Sequence, residues 1–275
     1  MQVIKTIAEM RAFRKGLSQV ALVPTMGNLH AGHLSLIKAA QFESKHVIVS
    51  IFVNPIQFGP NEDFGSYPRT LLEDCEKLAE LGVDAVFAPN AEEMYPKSTQ
   101  SVRVVPSDIQ NELCGASREG HFNGVATVVT KLFNIIQPDV AYFGEKDFQQ
   151  LYLIREMVEE LNMPIKIVAV PICRDNSGLA LSSRNGYLSS EEKERAIELS
   201  QCLTQMKHTI LDSNLDFRLI EAQAIQSLNN NGWVVDYISI RDQTSLAVAD
   251  HNNGQLIILA AAKMGKTRLL DNLMV

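Results

Sequence analysis

Two histidines, His30 and His33, lie three residues apart in the segment Pro24-Thr25-Met26-Gly27-Asn28-Leu29-His30-Ala31-Gly32-His33. An apolar run precedes them and a helical pattern follows. On the first turn of a helix, side chains at this spacing share a face. That end of a helix also offers unpaired backbone N–H groups and positive dipole character. Two imidazoles placed there can donate hydrogen bonds to triphosphate oxygens. Gly32 removes a side chain where a base or ribose would meet the backbone. A plainer reading also fits: the histidines cap the helix and Gly27 makes a turn. Zinc would need a third and a fourth ligand, and His46, His121, His208 and His251 supply no obvious cluster.

Three further segments carry polar chemistry. Asn54-Pro55-Ile56-Gln57-Phe58-Gly59 directly follows another apolar run. The Asn54 and Gln57 amides each offer donors and an acceptor, so they can orient a polar substrate without adding charge. A simple Pro/Gly loop is the alternative. In Gly144-Glu145-Lys146-Asp147-Phe148-Gln149-Gln150, Asp147 suits either a helix cap or ribose hydroxyls. Lys146 is a compact positive charge fit for phosphate, and Gln150 falls on the same side of the helix as Asp147. A solvated charged turn would look alike. Leu181-Ser182-Ser183-Arg184-Asn185 combines two hydroxyls with a guanidinium, a phosphate clamp or an ordinary Ser-rich turn. Lys263-Met264-Gly265-Lys266-Thr267 imitates a P-loop, but Ala260 stands where such a loop needs glycine. It sits between two strand-like runs and reads as a hairpin turn.

Each of the first segments sits behind a short apolar run. Residues 19–24 (QVALVP), 47–53 (VIVSIFV), 85–88, 140–143 and 165–172 read as strands. Helical patterns begin near His33 and cover residues 69–82, 125–136 and 147–161. In the second of these, Leu71, Leu72, Cys75, Leu78 and Ala79 recur at helical spacing and Gly82 is a stop signal. Near-continuous apolar strands between helices predict a Rossmann-like α/β fold: a parallel sheet with helices on both faces. In such sheets ligands bind at the carboxyl ends of the strands, which directs attention to the residues after Val23, Val53, Phe143 and Ile172. Beyond about residue 175 the pattern changes to a charged helix from Ser189–Ser190, a second helix over 219–228, and strands over 234–240, 256–262 and 266–270. We therefore expect a first domain over residues 1–174, binding nucleotide and substrate, and a smaller α+β domain over 175–275 that covers the active site.

Composition narrows the classes of function. The chain has 275 residues, 46% hydrophobic and 21% charged, enough to bury a sizeable core. With 25 basic against 32 acidic residues, the formal charge is −7. That argues against broad nucleic-acid binding, which needs a basic face. The longest apolar run, residues 256–262, has seven residues, whereas a membrane span needs about 20. No stretch near the N-terminus is apolar enough for a signal peptide. The four cysteines, Cys75, Cys114, Cys173 and Cys202, are far apart, against both a disulfide framework and a cysteine zinc site. The expected location is the cytoplasm.

Taken together, PTMGNLHAGH, SIFVNPIQF, YPRT, GHFNGV, FGEKDFQQ, LSSRN and RLLDN resemble, in order and along essentially the whole chain, the pantothenate synthetase (pantoate–β-alanine ligase) family of the HxGH nucleotidylyltransferase-like superfamily. The resemblance implies an AMP-forming ligase that condenses pantoate with β-alanine, using ATP and Mg²⁺, usually as a homodimer. It implies ATP contacts from Met26, Gly27, Asn28, Leu29, His30, Ala31, Gly32 and His33; from Gly144, Glu145, Lys146 and Asp147; and from Leu181, Ser182, Ser183 and Arg184. Cys173 matches a backbone contact to adenine. Gln57 and Gln150 match glutamines that bind pantoate, and Gln57 is also placed near β-alanine. His33 matches the residue usually assigned as proton donor, and residues 61–67 match a mobile gate loop. We expect catalytic roles for His30, His33 and Lys146, substrate orientation by Asn54, and metal ligands that the resemblance leaves unassigned. A nucleotidylyltransferase would retain AMP in its product. An aminoacyl-tRNA synthetase would need an RNA-binding surface that a −7 chain lacks. A silent nucleotide-binding module would bind ATP without turnover.

Overall fold

A computed structural model describes residues 1–60, 62–97, 100–250 and 254–275. His251, and Asn61 at the start of the 61–67 stretch, lie outside the described residues. The elements in chain order are β1 (Gln2–Ile4), α1 (Ile7–Arg14), β2 (Val20–Thr25), α2 (Ala31–Glu43), β3 (His46–Ile51), α3 (Leu71–Glu80), β4 (Ala85–Phe87), α4 (Ala91–Met94), α5 (His121–Ile136) and β5 (Val140–Gly144). There follow α6 (Phe148–Glu160), β6 (Lys166–Val170), α7 (Ser190–Ala196), α8 (Glu198–Asp212), α9 (Phe217–Asn230), β7 (Val234–Asp242), β8 (Leu256–Met264) and β9 (Thr267–Met274). The chain divides into two compact units: Met1–Glu145 with Gln150–Pro171, and Lys146–Gln149 with Ile172–Val275.

In the first unit, β1 to β6 form a parallel sheet in the order β1-β4-β3-β2-β5-β6. Alternate residues of each strand face opposite sides. Leu22, Ile48, Phe87 and Phe143 pack on one side with α1, α5 and α6, through Met10, Leu132, Phe133 and Ile154. Val23, Val49, Val86 and Tyr142 pack on the other with α2 and α3, through Leu36, Ile37, Ala40 and Leu78. Each fully buried aliphatic side chain contributes about 1.5–3 kcal/mol, so both faces hold helices as the apolar runs predict. In α3 the expected stripe is rotated. Leu72 is 80% exposed, while Asp74 is fully buried.

Strand order reverses between β2 and β5, so the crevice beside their carboxyl ends is a topological switch point. Pairing between the two strands ends at Leu22↔Ala141. This explains Pro24 in a central strand: its missing N–H faces no ladder partner on the β5 side. β2 ends at Thr25 and β5 at Gly144, beside that opening.

The second unit holds an antiparallel sheet in the order β7-β8-β9. Ile240, Ile258 and Ala260 pack against Leu203 and Met206 of α8 and Ile220 and Leu228 of α9. The charged helix expected from Ser189 is divided into α7 and α8 at Ile197. Gly265 and Lys266 form the two-residue turn between β8 and β9, with Gly265 at φ +57°. That is the hairpin expected of the P-loop imitation. Among the described residues, no helix is long and apolar enough to cross a membrane.

Candidate active site

In the first unit, α2 begins at Ala31, before the position near His33 expected from the sequence. His30 is therefore the N-cap and His33 the third helical residue. The His30 Nδ1 accepts from the Gly32 N–H at 3.2 Å, and the His33 Nδ1 accepts from the His30 N–H at 3.3 Å. This is a reciprocal cap made with two imidazoles, their ring centroids 4.1 Å apart. A ring whose Nδ1 accepts carries its proton on Nε2 when neutral. The cap uses only Nδ1 of each ring, so each neutral histidine keeps its donor N–H on Nε2.

The turn before α2 is held from outside. Gly27 and Asn28 both have positive φ, +85° and +51°. The Asp74 carboxylate accepts from the Asn28 N–H at 2.8 Å, the Leu29 N–H at 2.7 Å and the Thr70 hydroxyl at 3.1 Å. Lys77 donates to the Leu29 carbonyl at 2.9 Å. A Cβ on Gly27 would lie 3.1 Å from both Asp74 Oδ2 and Ile51 Cγ2, so side chain and conformation both favour glycine there. Asp74 was not among the residues singled out from sequence. Asp74 lies at one edge of the expected α3 stripe as Glu76 lies at the other, so periodicity does not single it out.

Asn54 and Gln57 are buried together in the first unit. Asn54 Nδ2 donates to Gln57 Oε1 at 2.9 Å and to the Gly124 carbonyl at 3.1 Å, while Tyr95 donates to Asn54 Oδ1 at 2.7 Å. Asn54 is thereby committed to holding Gln57. Gln57 Nε2 donates to the Met26 sulfur at 3.2 Å. A thioether is a weak acceptor, readily exchanged for a hydroxyl or carboxylate oxygen. The geometry brings Met26, Asn54 and Gln57 into one cluster. Gly124 belongs to it by close packing, because a Cβ there would lie 2.4 Å from the Ile56 carbonyl oxygen and 2.6 Å from Gln57 Cα. Gln150 lies on α6, Gly144 ends β5, and Glu145 follows it.

Of the stretch matched to a gate loop, residues 62–67 are described. Arg69 donates to the Phe64 and Tyr67 carbonyls, and its guanidinium lies 5.2 Å from the Phe64 ring centre. Burial pushes the Glu62 carboxyl up, but hydrogen bonding and charge from Arg118 outweigh it, assisted by the Gly59 backbone. The net result is a carboxyl held below its ordinary value.

In the second unit, Lys146 and Asp147 form an ion pair at 3.0 Å. The Leu181 N–H donates to the Cys173 carbonyl at 2.9 Å, and Arg174 and Ala180 pair as an antiparallel bridge. Ser182 caps the tight turn Ser183–Tyr187, its hydroxyl accepting from the Arg184 N–H at 3.2 Å. Arg174 grips Asp271 with two bonds of 2.7 and 2.8 Å and also donates to the Asn272 carbonyl. The Asn272 amide donates to the Lys146 carbonyl at 3.0 Å. Lys146, Cys173 and the Leu181–Arg184 turn therefore share one support, built from the RLLDN motif that carried no assigned role. Asp271→Asn removes the charge from a fork whose carboxylate side chain is 3% exposed. We expect a stability loss of about 3 kcal/mol, the low end for a broken buried pair. On the resemblance's assignment of ATP to this turn, the KM for ATP should also rise about tenfold, an effect of 1.4 kcal/mol, with little change for other substrates. Steady-state kinetics with thermal melting checks this, and an unchanged ATP KM would detach the fork from the site.

A model of the family described as pantoate-beta-alanine ligase matches residues 2–274. A pantothenate synthetase of Laribacter hongkongensis is 54% identical over 99% of this chain and 98% of its own length. One from Neisseria meningitidis is 52% identical over 99% and 98%. Among solved structures, pantothenate synthetase from Thermus thermophilus superposes with a TM-score of 0.92 at 42% identity, covering 99% of both chains. A pantoate-beta-alanine ligase from Francisella tularensis, complexed with beta-gamma ATP and beta-alanine, gives 0.80 at 38%, covering 100% of this chain and 97% of that one.

Proposed function

The chain belongs to the pantoate–β-alanine ligase family, and from that premise we propose how its residues join pantoate to β-alanine at the expense of ATP. The observation that carries the reading is the family match along residues 2–274. A carboxylate is a poor acylating agent, because oxide would have to leave. The pantoate carboxylate attacks the α-phosphorus of ATP, pyrophosphate departs, and a pantoyl-adenylate forms. The β-alanine amine then attacks the acyl carbon, AMP leaves, and pantothenate results.

The first step needs no base, since the carboxylate is already ionised. It needs alignment and charge stabilisation. His30 and His33 donate Nε2–H to phosphate oxygens. Lys146, Ser182, Ser183 and Arg184 are assigned to the same charge, and Asp147 to the ribose. The reciprocal cap favours a hydrogen-bonding role for His33 over proton transfer, because an imidazolium would surrender the bond from the His30 N–H. Gln57 and Gln150 orient pantoate, with Asn54 locking Gln57. The Cys173 carbonyl already accepts from Leu181 and has a second lone pair for the adenine amino group.

Bound with ATP, Mg²⁺ would supply further neutralisation of phosphate charge beside Lys146 and Arg184. The family resemblance also supports a homodimer, and the dispersed cysteines support a reducing cytoplasm. Gln57→Ala should raise the KM for pantoate with ATP affinity near normal; a large loss of ATP affinity alone would contradict the assignment. The direct test measures AMP formation with pantoate and β-alanine, each omitted in turn, beside pantoate-dependent exchange of labelled pyrophosphate into ATP. Release requiring both and exchange requiring pantoate alone is the expected result. ATP binding without either would sink it.

A further inference from the structure

The tight turn Pro55–Gln57 that carries Gln57 is weakly made. Its own backbone bonds, from the Gln57 N–H to the Asn54 carbonyl and from the Phe58 N–H to the Pro55 carbonyl, are 3.4 and 3.5 Å long. Ordinary N–H···O bonds span about 2.7–3.2 Å. What fixes the turn comes from elsewhere in the first unit. His121, the first residue of α5, meets the Gln57 carbonyl oxygen through Nδ1 at 2.8 Å. Its Nε2 meets Arg118 at 2.8 Å. Arg118 in turn grips Glu62 with Nε and a terminal nitrogen, both at 2.7 Å.

The direction of this chain is determined. A guanidinium has donors and no acceptor, so His121 Nε2 must accept from Arg118. A neutral imidazole then has its one N–H on Nδ1, facing a carbonyl that can only accept. Protonating the ring would set Nε2–H against an Arg118 N–H. The bidentate Glu62 carboxylate turns the guanidinium so that its remaining terminal nitrogen points to the ring. Gln57 and His121 are buried, so a donor lost from this chain is not replaced by bulk water.

Resting on the reading that Gln57 receives pantoate, we propose that Glu62, Arg118 and His121 are positioning residues for that substrate. Their one-way hydrogen-bond relay holds the Gln57 carbonyl, and so aims the Gln57 amide. The relay gives the GHFNGV segment two tasks. His121 ties the Gln57 backbone, and Gly124 admits it at close range.

Two measurements test this. Long-range proton–nitrogen NMR on the unsubstituted chain reads the tautomer of His121, assigned by loss of its signals in His121→Asn. The Nδ1–H form is expected, and the Nε2–H form would overturn the relay. Steady-state kinetics then compares His121→Leu, His121→Asn and Glu62→Gln. The asparagine amide can still donate where Nδ1 did. His121→Leu should raise the KM for pantoate about tenfold or more with the KM for ATP within about twofold. His121→Asn should recover most of that loss, and Glu62→Gln should fall between. Equal losses in the leucine and asparagine variants, or parallel rises in both KM values, would reduce His121 to packing and sink the proposal. If the unsubstituted chain lacks pantoate-dependent turnover, the ligase reading fails first. Normal turnover with insensitive variants sinks the relay alone.

Discussion

His33→Ala is expected to slow adenylate formation by about 10²-fold or more, the scale of one lost electrostatic donor at a reacting phosphate. Such a loss corresponds to about 3 kcal/mol of transition-state stabilisation. The substitution also strips the acceptor from the His30 N–H, at a cost of about 1 kcal/mol for a lost cap. Stability should therefore fall slightly while the rate falls greatly, and melting beside rapid-quench measurement of the adenylate separates the two. His33→Gln supplies a related test. Its amide carries a donor but no acid near neutral pH. Partial recovery by glutamine would favour hydrogen bonding over proton transfer. A wild-type rate of adenylate formation in His33→Ala would remove His33 from the mechanism.

The sequence declared its chemistry where the chemistry is local. His30 and His33 share one helical turn, and Lys146 and Asp147 are adjacent; such groupings survive without knowledge of the fold. The core strands were legible because each is a short apolar run buried on both faces. β1 was not, because Gln2 and Val3 are exposed and Ile4 alone is buried. The helix after it did carry a signal that went unread. Thr6 and Glu9 form a capping box, the spacing that marks a helix start. The supports of the site were hidden for a different reason. Asp74 acts on a turn 46 residues away, Arg118 on a carboxylate 56 away, and Asp271 on Arg174 at 97. No periodicity encodes partners at such separations. These charged residues look like solvated surface until the fold shows each beside the backbone it holds.

Asp74→Ala should produce the largest loss of stability among the single substitutions considered. The carboxylate is fully buried and accepts from two backbone N–H groups and a hydroxyl. Truncation leaves the buried Leu29 N–H without its acceptor, and takes theirs from the half-buried Asn28 N–H and Thr70 hydroxyl. Each unsatisfied buried group costs about 1–3 kcal/mol, so a total of about 3–5 kcal/mol is expected. Asparagine is not a safe replacement. One of its two positions would be an NH₂ facing either the Leu29 N–H or the Asn28 N–H, donor against donor. Asp74→Asn should therefore also destabilise, by less than alanine. The functional consequence follows from what the carboxylate holds. Gly27 and Asn28 stay at positive φ because Asp74 clamps the following N–H groups, and relaxation of that turn would shift the His30 cap. We expect the KM for ATP to rise more than that for pantoate in whichever variant folds. Denaturant unfolding and substrate kinetics on Asp74→Asn would check both parts. A variant as stable as the original would show that the turn holds itself, and an unchanged ATP KM would show that its geometry does not govern nucleotide binding.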